Sequence, residues 1–314
     1  MKKNSIACWS FCSAPKRRES PSTSATLVSE FRLAGPSGEP VSFARTLRSH
    51  GCADLAPAVI DGEHRWYRTA IRVADRIRTI EMRERNGLLR IESPSKLSAR
   101  EASEIEAAVR RMFRLDEDFH AFYAAVKDDA RLGWVVAGAG RMMASPTVFE
   151  DVVKTICTTN CAWSGTIRMV GALVRELGGG AFPTPLQMSK APEAFYRDVA
   201  RAGYRGAYLR ELARMVARRE LDLEALRPNG GATDAEVEEV LLALPGVGPY
   251  ACAHVMMLLG RYRRLVLDSW TRPTYLAIAG KKRSSDRSIE RAFNTYGAFA
   301  GLAFWLYVTR GWLP

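Results

Sequence analysis

No stretch of the 314-residue chain approaches the roughly 18 consecutive apolar residues of a membrane-spanning helix, which excludes an integral helical membrane protein. No Cys-x-x-Cys pair occurs among the six cysteines, and the four histidines show no zinc-type spacing, so no structural metal cluster is expected. Cys157 and Cys161 lie one helical turn apart. That spacing suits either a metal or two small buried residues, and burial is the preferred reading in a reducing compartment. A secretory core is also missing: MKKNSIACWSFCSAPKRRESPSTSATL has two lysines, then a brief apolar patch broken by polar residues before PKRR. Residues 1–28 therefore read as a disordered basic tail rich in Ser, Pro and charge. The basic run at 15–18 is either a nuclear address or solvated surface. The expected setting is a nucleus or a bacterial cytoplasm and nucleoid, without secretion.

Acidic residues are few beside basic ones, 34 against 46, for a formal charge of +12. Such an excess favours phosphate backbones or anionic membrane surfaces, next to the plainer reading that arginine is simply used freely. The apolar fraction of 47% and charged fraction of 25% are ordinary for a folded chain, and the length fits about two domains.

From 31 to 94 the pattern is extended. Residues 64–73 are rich in aromatic and β-branched side chains, and Asn86-Gly87 between RIRTIEMRER and LLRIES is a strong hairpin signal. A helix is expected to interrupt this sheet around 41–49. From Ser98 onward apolar residues recur at helical spacing, as in AREASEIEAAVRRMF and FEDVVKTICTTN. Further helices are expected at 163–177, 192–202, 208–219 and 234–244. The expected architecture is α+β, mainly α: an antiparallel β-rich domain at 29–112 and an all-α domain at 113–314.

Within the helical half, LLALPGVGPYACAHVMMLLG joins two helices through an uncharged turn. Thr233 and Glu236 form a capping box for the first helix, and Pro249 suits the first turn of the second. Gly246 and Gly248 are free to adopt positive φ, and Val247 to plug into the core. The exposed N–H groups of the turn and helix start form a nest for an anion, a phosphate grip that ignores base sequence. A plain αα-hairpin has the same pattern, but the basic balance and Arg261, Arg263 and Arg264 favour DNA. Downstream, Asp268 follows Leu265-Val266-Leu267 and precedes a helix; it can be an N-cap, a reactive carboxylate, or both.

Together these motifs resemble the helix-hairpin-helix (HhH-GPD) DNA glycosylase superfamily, over most of the chain from about residue 31. FEDVVKTICTTN is similar to the helix leading into the loop that wedges DNA, AGYRGAY to the segment facing the intact strand, and YGAFAGLAFWLYVTRGW to the C-terminal helix closing the base pocket. The resemblance implies a base-excision-repair enzyme that flips a damaged purine from double-stranded DNA and cuts its N-glycosidic bond. Asp268 matches the carboxylate that stabilises the oxocarbenium-like sugar. Gly246, Val247 and Gly248 match the phosphate grip, Asn160 the residue filling the gap, Tyr204 the wedge, and Arg205 the contact to the orphaned base.

The branch is mixed. Bifunctional relatives carry a lysine nucleophile where this chain has Tyr250, and no lysine lies in the hairpin, which implies a monofunctional hydrolase. Tyr250 also matches a pocket wall of the alkylpurine branch, though it can equally pack the helix start. In 8-oxoguanine glycosylases the C-terminal helix supplies a glutamine whose place here falls on Phe304, with Trp305 and Tyr307 adding aromatic surface. The wedge elements lean the other way, toward the 8-oxoguanine branch. An alkylated purine such as 3-methyladenine is the expected substrate. The alternatives are an 8-oxoguanine glycosylase with AP-lyase activity and a non-catalytic DNA-binding protein. With no cysteine after Cys252, the iron–sulfur branches are excluded. No organic cofactor is expected; some relatives hold K+ or Na+ through hairpin carbonyls, here those of Leu242, Leu244 and Val247. The expected partner is damaged duplex DNA, with no membrane, bound by a monomer.

Overall fold

A computed structural model describes residues 25–312 apart from 62, 64 and 74. Its elements are β1 (Thr26–Arg32), α1 (Phe43–Leu47), β2 (Val59–Ile60), β3 (Trp66–Val73), β4 (Arg76–Arg85), β5 (Leu88–Ser93), α2 (Ala99–Met112), α3 (His120–Val126), α4 (Val148–Thr158), α5 (Trp163–Ala172), α6 (Pro185–Lys190), α7 (Arg205–Ala217), α8 (Asp234–Ala243), α9 (Pro249–Leu258), α10 (Thr271–Ile278), α11 (Asp286–Phe293) and α12 (Ala300–Thr309). The architecture is α+β, with a small antiparallel sheet followed by helices. Residues 1–24 of the expected tail lie outside the described residues, as do Cys8 and Cys12. The last part of that tail is misassigned: β1 begins at Thr26, where the backbone pairs with Ser93.

The sheet runs β1-β5-β4-β3-β2, with every pair antiparallel. Asn86 (φ 54°) and Gly87 (φ 74°) link the paired residues Arg85 and Leu88. Two consecutive positive φ values are what a tight turn matched to strand twist demands, and Asn-Gly supplies them at low cost. β3 alternates strictly, burying Tyr67, Thr69, Ile71 and Val73. These join Ile80, Met82, Leu89 and Ile91 in a core with Ile105, Val109 and Met112 of α2. α2 starts on the Ser98–Glu101 capping box.

Local conformation reshapes three of the expected helices. The 192–202 segment keeps only a wide turn at Phe195–Val199, because Arg201 (φ 51°) and Gly203 (φ 57°) break the helical path. The helix expected from 208 starts instead at Arg205. That expected at 163–177 ends in a wide turn, Leu173–Leu177. α6 was not foreseen, although Thr184-Pro185-Leu186-Gln187 carries its capping box and its first-turn proline.

The helices form two cores that share α9. Ala251, Cys252, Val255 and Met256 face one, with α4, α5 and α7; Ala253, Met257 and Leu258 face the other, with α3 and α12. The loop after α1 crosses from the sheet into this region, and Cys52 and Leu55 belong to the first helical core. A buried ion pair makes a second crossing. Arg141 is fully buried and donates to Glu39 Oε1 at 2.7 Å and to Glu117 O at 2.9 Å; Glu39 Oε1 also accepts the Phe119 N–H at 2.9 Å. Removing one partner strands a buried charge. Glu39→Ala is therefore expected to lower stability by about 3–5 kcal/mol in urea unfolding. A loss below about 1 kcal/mol, the range of solvated pairs, would show that this tie does not hold the two parts together.

Candidate active site

α8 runs from its Thr233–Glu236 capping box to Ala243, and Leu244 turns extended (φ −73°, ψ 143°). The turn closes with Val247 N donating to Leu244 O at 3.2 Å, and α9 makes its first bond from Cys252 N to Gly248 O at 2.8 Å. The N–H groups of Gly248, Tyr250 and Ala251 precede that bond and face outward from the helix start, the anion-favouring end. Val247 is buried in the core as expected. The two glycines differ. Gly246 takes φ 80°, and a Cβ there would meet the Tyr208 ring at 2.7 Å. Gly248 is extended (φ −98°, ψ −176°), so the expectation of positive φ fails there. An added Cβ at Gly248 meets nothing within 4 Å; the residue is exposed and leaves open space for a second backbone.

Beside the turn, Tyr204, Tyr208 and Leu242 are exposed. Asn160, in the loop after α4 with φ 45°, is exposed and donates through Nδ2 to Tyr204 OH at 3.2 Å. The structure thus brings Asn160 and Tyr204 together next to the hairpin. Arg205 goes elsewhere: it is buried, donates to Thr159 O at 2.9 Å, and its guanidinium lies 4.6 Å from the Tyr204 ring centroid. It braces the Asn160 loop from behind and does not reach outward, a correction to its expected contact with an orphaned base. Arg261 is likewise internal, bonded to Asp234 Oδ1 at 2.7 Å and Ala232 O at 2.8 Å. Arg264 pairs with Glu238, and Arg263 is exposed.

Asp268 is half-buried at the start of α10. Its Oδ1 accepts Trp270 N at 2.8 Å and Thr271 N at 2.6 Å, while its own N–H donates to Thr271 Oγ1 at 2.9 Å. One carboxylate oxygen is the cap, and Oδ2 takes no hydrogen bond from the described residues. The two expected roles of Asp268 are therefore compatible in one side chain: the cap on Oδ1 fixes the orientation in which Oδ2 is left open.

Tyr250, half-buried, meets Thr158 Oγ1 at 3.4 Å through its hydroxyl, and burial pushes its ionisation upward, so the phenol stays neutral. Its ring stacks on His254 at 6.1 Å. His254 packs edge-on against Trp305 and His50, both at 5.8 Å. Trp305 lies 6.2 Å from Trp270 and 5.9 Å from Trp312. The residue of α12 that faces this wall is therefore Trp305, whose Nε1 donates to Ser49 O at 2.7 Å. Phe304 is fully buried on another side, 5.3 Å from Phe293 and 6.2 Å from Tyr275, so it does not face the wall with Tyr250, against its expected place there; its neighbour Trp305 does. α12 is apolar all round, and no amphipathic stripe phases it.

His50, Cys52 and His254 were not foreseen as a group, because they are far apart in sequence. Their ligand-type atoms lie within 4.8 Å of one another, all buried. His50 is fully engaged: Nε2 donates to Met143 O at 2.5 Å and Nδ1 accepts Cys52 N–H at 3.1 Å. Burial lowers His50 to about 3, with the neighbouring His254 adding to the shift, and lowers His254 to about 4; it raises the Cys52 thiol to about 12. Both rings and the thiol are thus neutral near pH 7.

No protein-family model and no curated protein matches the chain by sequence. Solved structures do match. MBOgg1, solved with a low-affinity DNA ligand, superposes at TM-score 0.70 with 18% identity, over 91% of this chain and 98% of its own. The 3-methyladenine DNA-glycosylase from Archaeoglobus fulgidus gives TM-score 0.70 and 19% identity, over 90% of this chain and 98% of its own. The 8-oxoguanine glycosylase/lyase of Clostridium acetobutylicum gives 0.63 and 18%, over 82% and 93%. The chain has the helix-hairpin-helix DNA glycosylase fold. Both branches share this glycosylase fold, so the fold does not choose between them; the side chains at the site must.

The buried imidazoles set a pH dependence. Their folded pKa values lie below the unfolded value of 6.5, so between pH 6.5 and about 4 the unfolded chain binds more protons and stability falls as pH falls. Asp151, raised by burial from 3.8 to about 6, acts in the opposite sense from about pH 6 down to 3.8, which covers most of that range. His254→Leu removes one ring together with its share of the His50 shift. The variant should lose less stability on acidification from pH 6.5 to 4, by up to about 1.4 kcal/mol per pH unit. Parallel stability profiles for the two proteins would contradict this.

Proposed function

We propose that the protein is a monofunctional DNA glycosylase that releases an alkylated purine from duplex DNA. The observation that carries this is Asp268, with Oδ1 locked by two backbone N–H groups and Oδ2 open, beside a hairpin whose nucleophile position holds a tyrosine. As the C1′–N bond breaks, its electron pair leaves with the base and positive charge grows on the sugar. A fixed carboxylate stabilises that charge. Water then supplies the new C1′–O bond and gives up a proton, which Asp268 can accept. Tyr250 cannot form a Schiff base, so the product is an intact strand with an abasic site.

The neighbouring wall supports the choice of base. Tyr250, Trp270, Trp305 and Trp312 are aromatic, and the two imidazoles among them are neutral. Ring faces attract a cation, and the Arg48 guanidinium at the edge of this wall donates to Trp312 O at 3.4 Å. A purine alkylated at N3 or N7 is cationic and leaves as a neutral base. The hairpin would hold a phosphate, and Asn160 with Tyr204 would occupy the gap left by extrusion, which offsets lost stacking. The carbonyls of Leu242, Leu244 and Val247 are hard oxygen donors of the type K+ or Na+ takes. Leu244 O accepts one hydrogen bond, from Val247, and retains a second lone pair for such an ion.

An 8-oxoguanine glycosylase/lyase would need an amine at the sugar. Lys154 on α4 is tied to Glu150 at 2.7 Å, both buried, and cannot serve. Asp268→Asn is expected to slow base release on the order of a hundred-fold or more while the variant still binds duplex DNA. Unchanged single-turnover rates would overturn the role given to Asp268.

A further inference from the structure

One turn along α9 from Tyr250, His254 carries a chemical demand that the folded chain leaves unmet. The residue is 3% exposed, and neither ring nitrogen has a hydrogen-bond partner among the described residues. Neutral imidazole has one N–H donor and one lone pair, and hiding both from water without partners is unfavourable. The groups packed on it are already satisfied. Trp305 Nε1 donates to Ser49 O, the Tyr250 hydroxyl meets Thr158, and both nitrogens of His50 are bonded. Among the described residues of this wall, His254 is left with both ring nitrogens unpartnered. Two aromatic residues link it to Asp268: Trp305 touches both His254 and Trp270, and the Trp270 backbone N–H is bound to the Asp268 carboxylate.

We propose that His254 is a specificity residue that hydrogen-bonds the edge of the extruded purine. The proposal rests on the glycosylase reading and adds to it the breadth of the substrate class. No protein group among the described residues dictates which nitrogen of His254 carries the hydrogen, so the ring can turn either a donor or an acceptor toward an inserted base. An adenine-type edge offers an amino donor, and a guanine-type or hypoxanthine edge offers an O6 acceptor. One tautomeric ring satisfies both, so the site takes modified purines of both kinds. Burial keeps the ring neutral, with its pKa near 4, and a neutral ring does not repel a cationic base. In the structure the aromatic rings touch, so a base enters by parting them.

His50, Cys52 and His254 have zinc-type donor chemistry, with ligand atoms within 4.8 Å. A metal there would have to displace a hydrogen bond of His50 and deprotonate a thiol that burial holds at about 12. The base-reading role requires neither change.

The test is His254→Leu, a substitution of similar volume, measured on duplexes carrying 3-methyladenine, 7-methylguanine or hypoxanthine. Release of each base should slow about ten-fold, the worth of one good hydrogen bond. Affinity for the same duplex with a tetrahydrofuran abasic analogue should not change, because that DNA has no base to read. The urea midpoint should rise, since two unpaired buried polar atoms are gone. Unchanged release of every base from an active wild type would overturn the role of His254 and leave the glycosylase reading standing. A lowered urea midpoint with equal losses on base-bearing and abasic DNA would make His254 a packing residue. One equivalent of zinc on the purified wild type, absent from the variant, would make it a metal ligand. A wild type that releases no modified base would fail the glycosylase reading itself, and the proposal with it.

Discussion

α9 is the helix on which the rest of this fold hangs. From Ala251 to Leu258 every residue is buried, and its two sides belong to different cores. A helix buried all round cannot move without disturbing both cores, so what it carries is held rigidly. Its N-terminus presents the hairpin N–H groups, its first turn carries Tyr250, and its second carries His254. The proposed phosphate grip, pocket wall and base contact would thereby be fixed relative to one another by one rod of backbone, so that an entering base would part the ring side chains and leave α9 in place. The α12 indole and the loop after α1 then close around it, through Trp305 Nε1 and Ser49 O.

The charge of the chain is divided between two tasks. Arg114, Arg141, Arg205 and Arg261 are buried and serve as internal hydrogen-bond hubs, binding carbonyls of neighbouring loops. Guanidinium suits this work, because its fixed fork of donors satisfies several carbonyls at once. The positive balance is therefore not a simple measure of a DNA-facing surface. At the hairpin, the proposed grip would come from uncharged backbone: Gly248 is exposed, and the α9 start presents N–H groups that precede its first helical bond.

Features written in a few adjacent residues were legible in the sequence. The Asn86-Gly87 turn, the helix start at Ser98, the capping box at Thr233, the buried Val247 and the capping geometry of Asp268 all follow from local chemistry. Features that depend on rotation or long-range proximity were not. Phe304 and Trp305 are adjacent, and only the packing of an all-apolar helix tells which faces the site. Arg205 follows the exposed Tyr204 in a basic segment, yet the Thr159 carbonyl draws it inward. His50 and His254 meet only once the loop after α1 crosses into the helices.

The central claim is that this site cuts a glycosidic bond with water and leaves the strand intact. It is tested most directly by incubating the protein with a panel of duplexes carrying 3-methyladenine, 7-methylguanine, ethenoadenine, hypoxanthine, uracil or 8-oxoguanine. Each reaction is divided between alkali treatment and borohydride. The account predicts alkali-revealed abasic sites at alkylated purines and no protein trapped on DNA. A covalent adduct after borohydride, or bound duplexes with every base still attached, would contradict it.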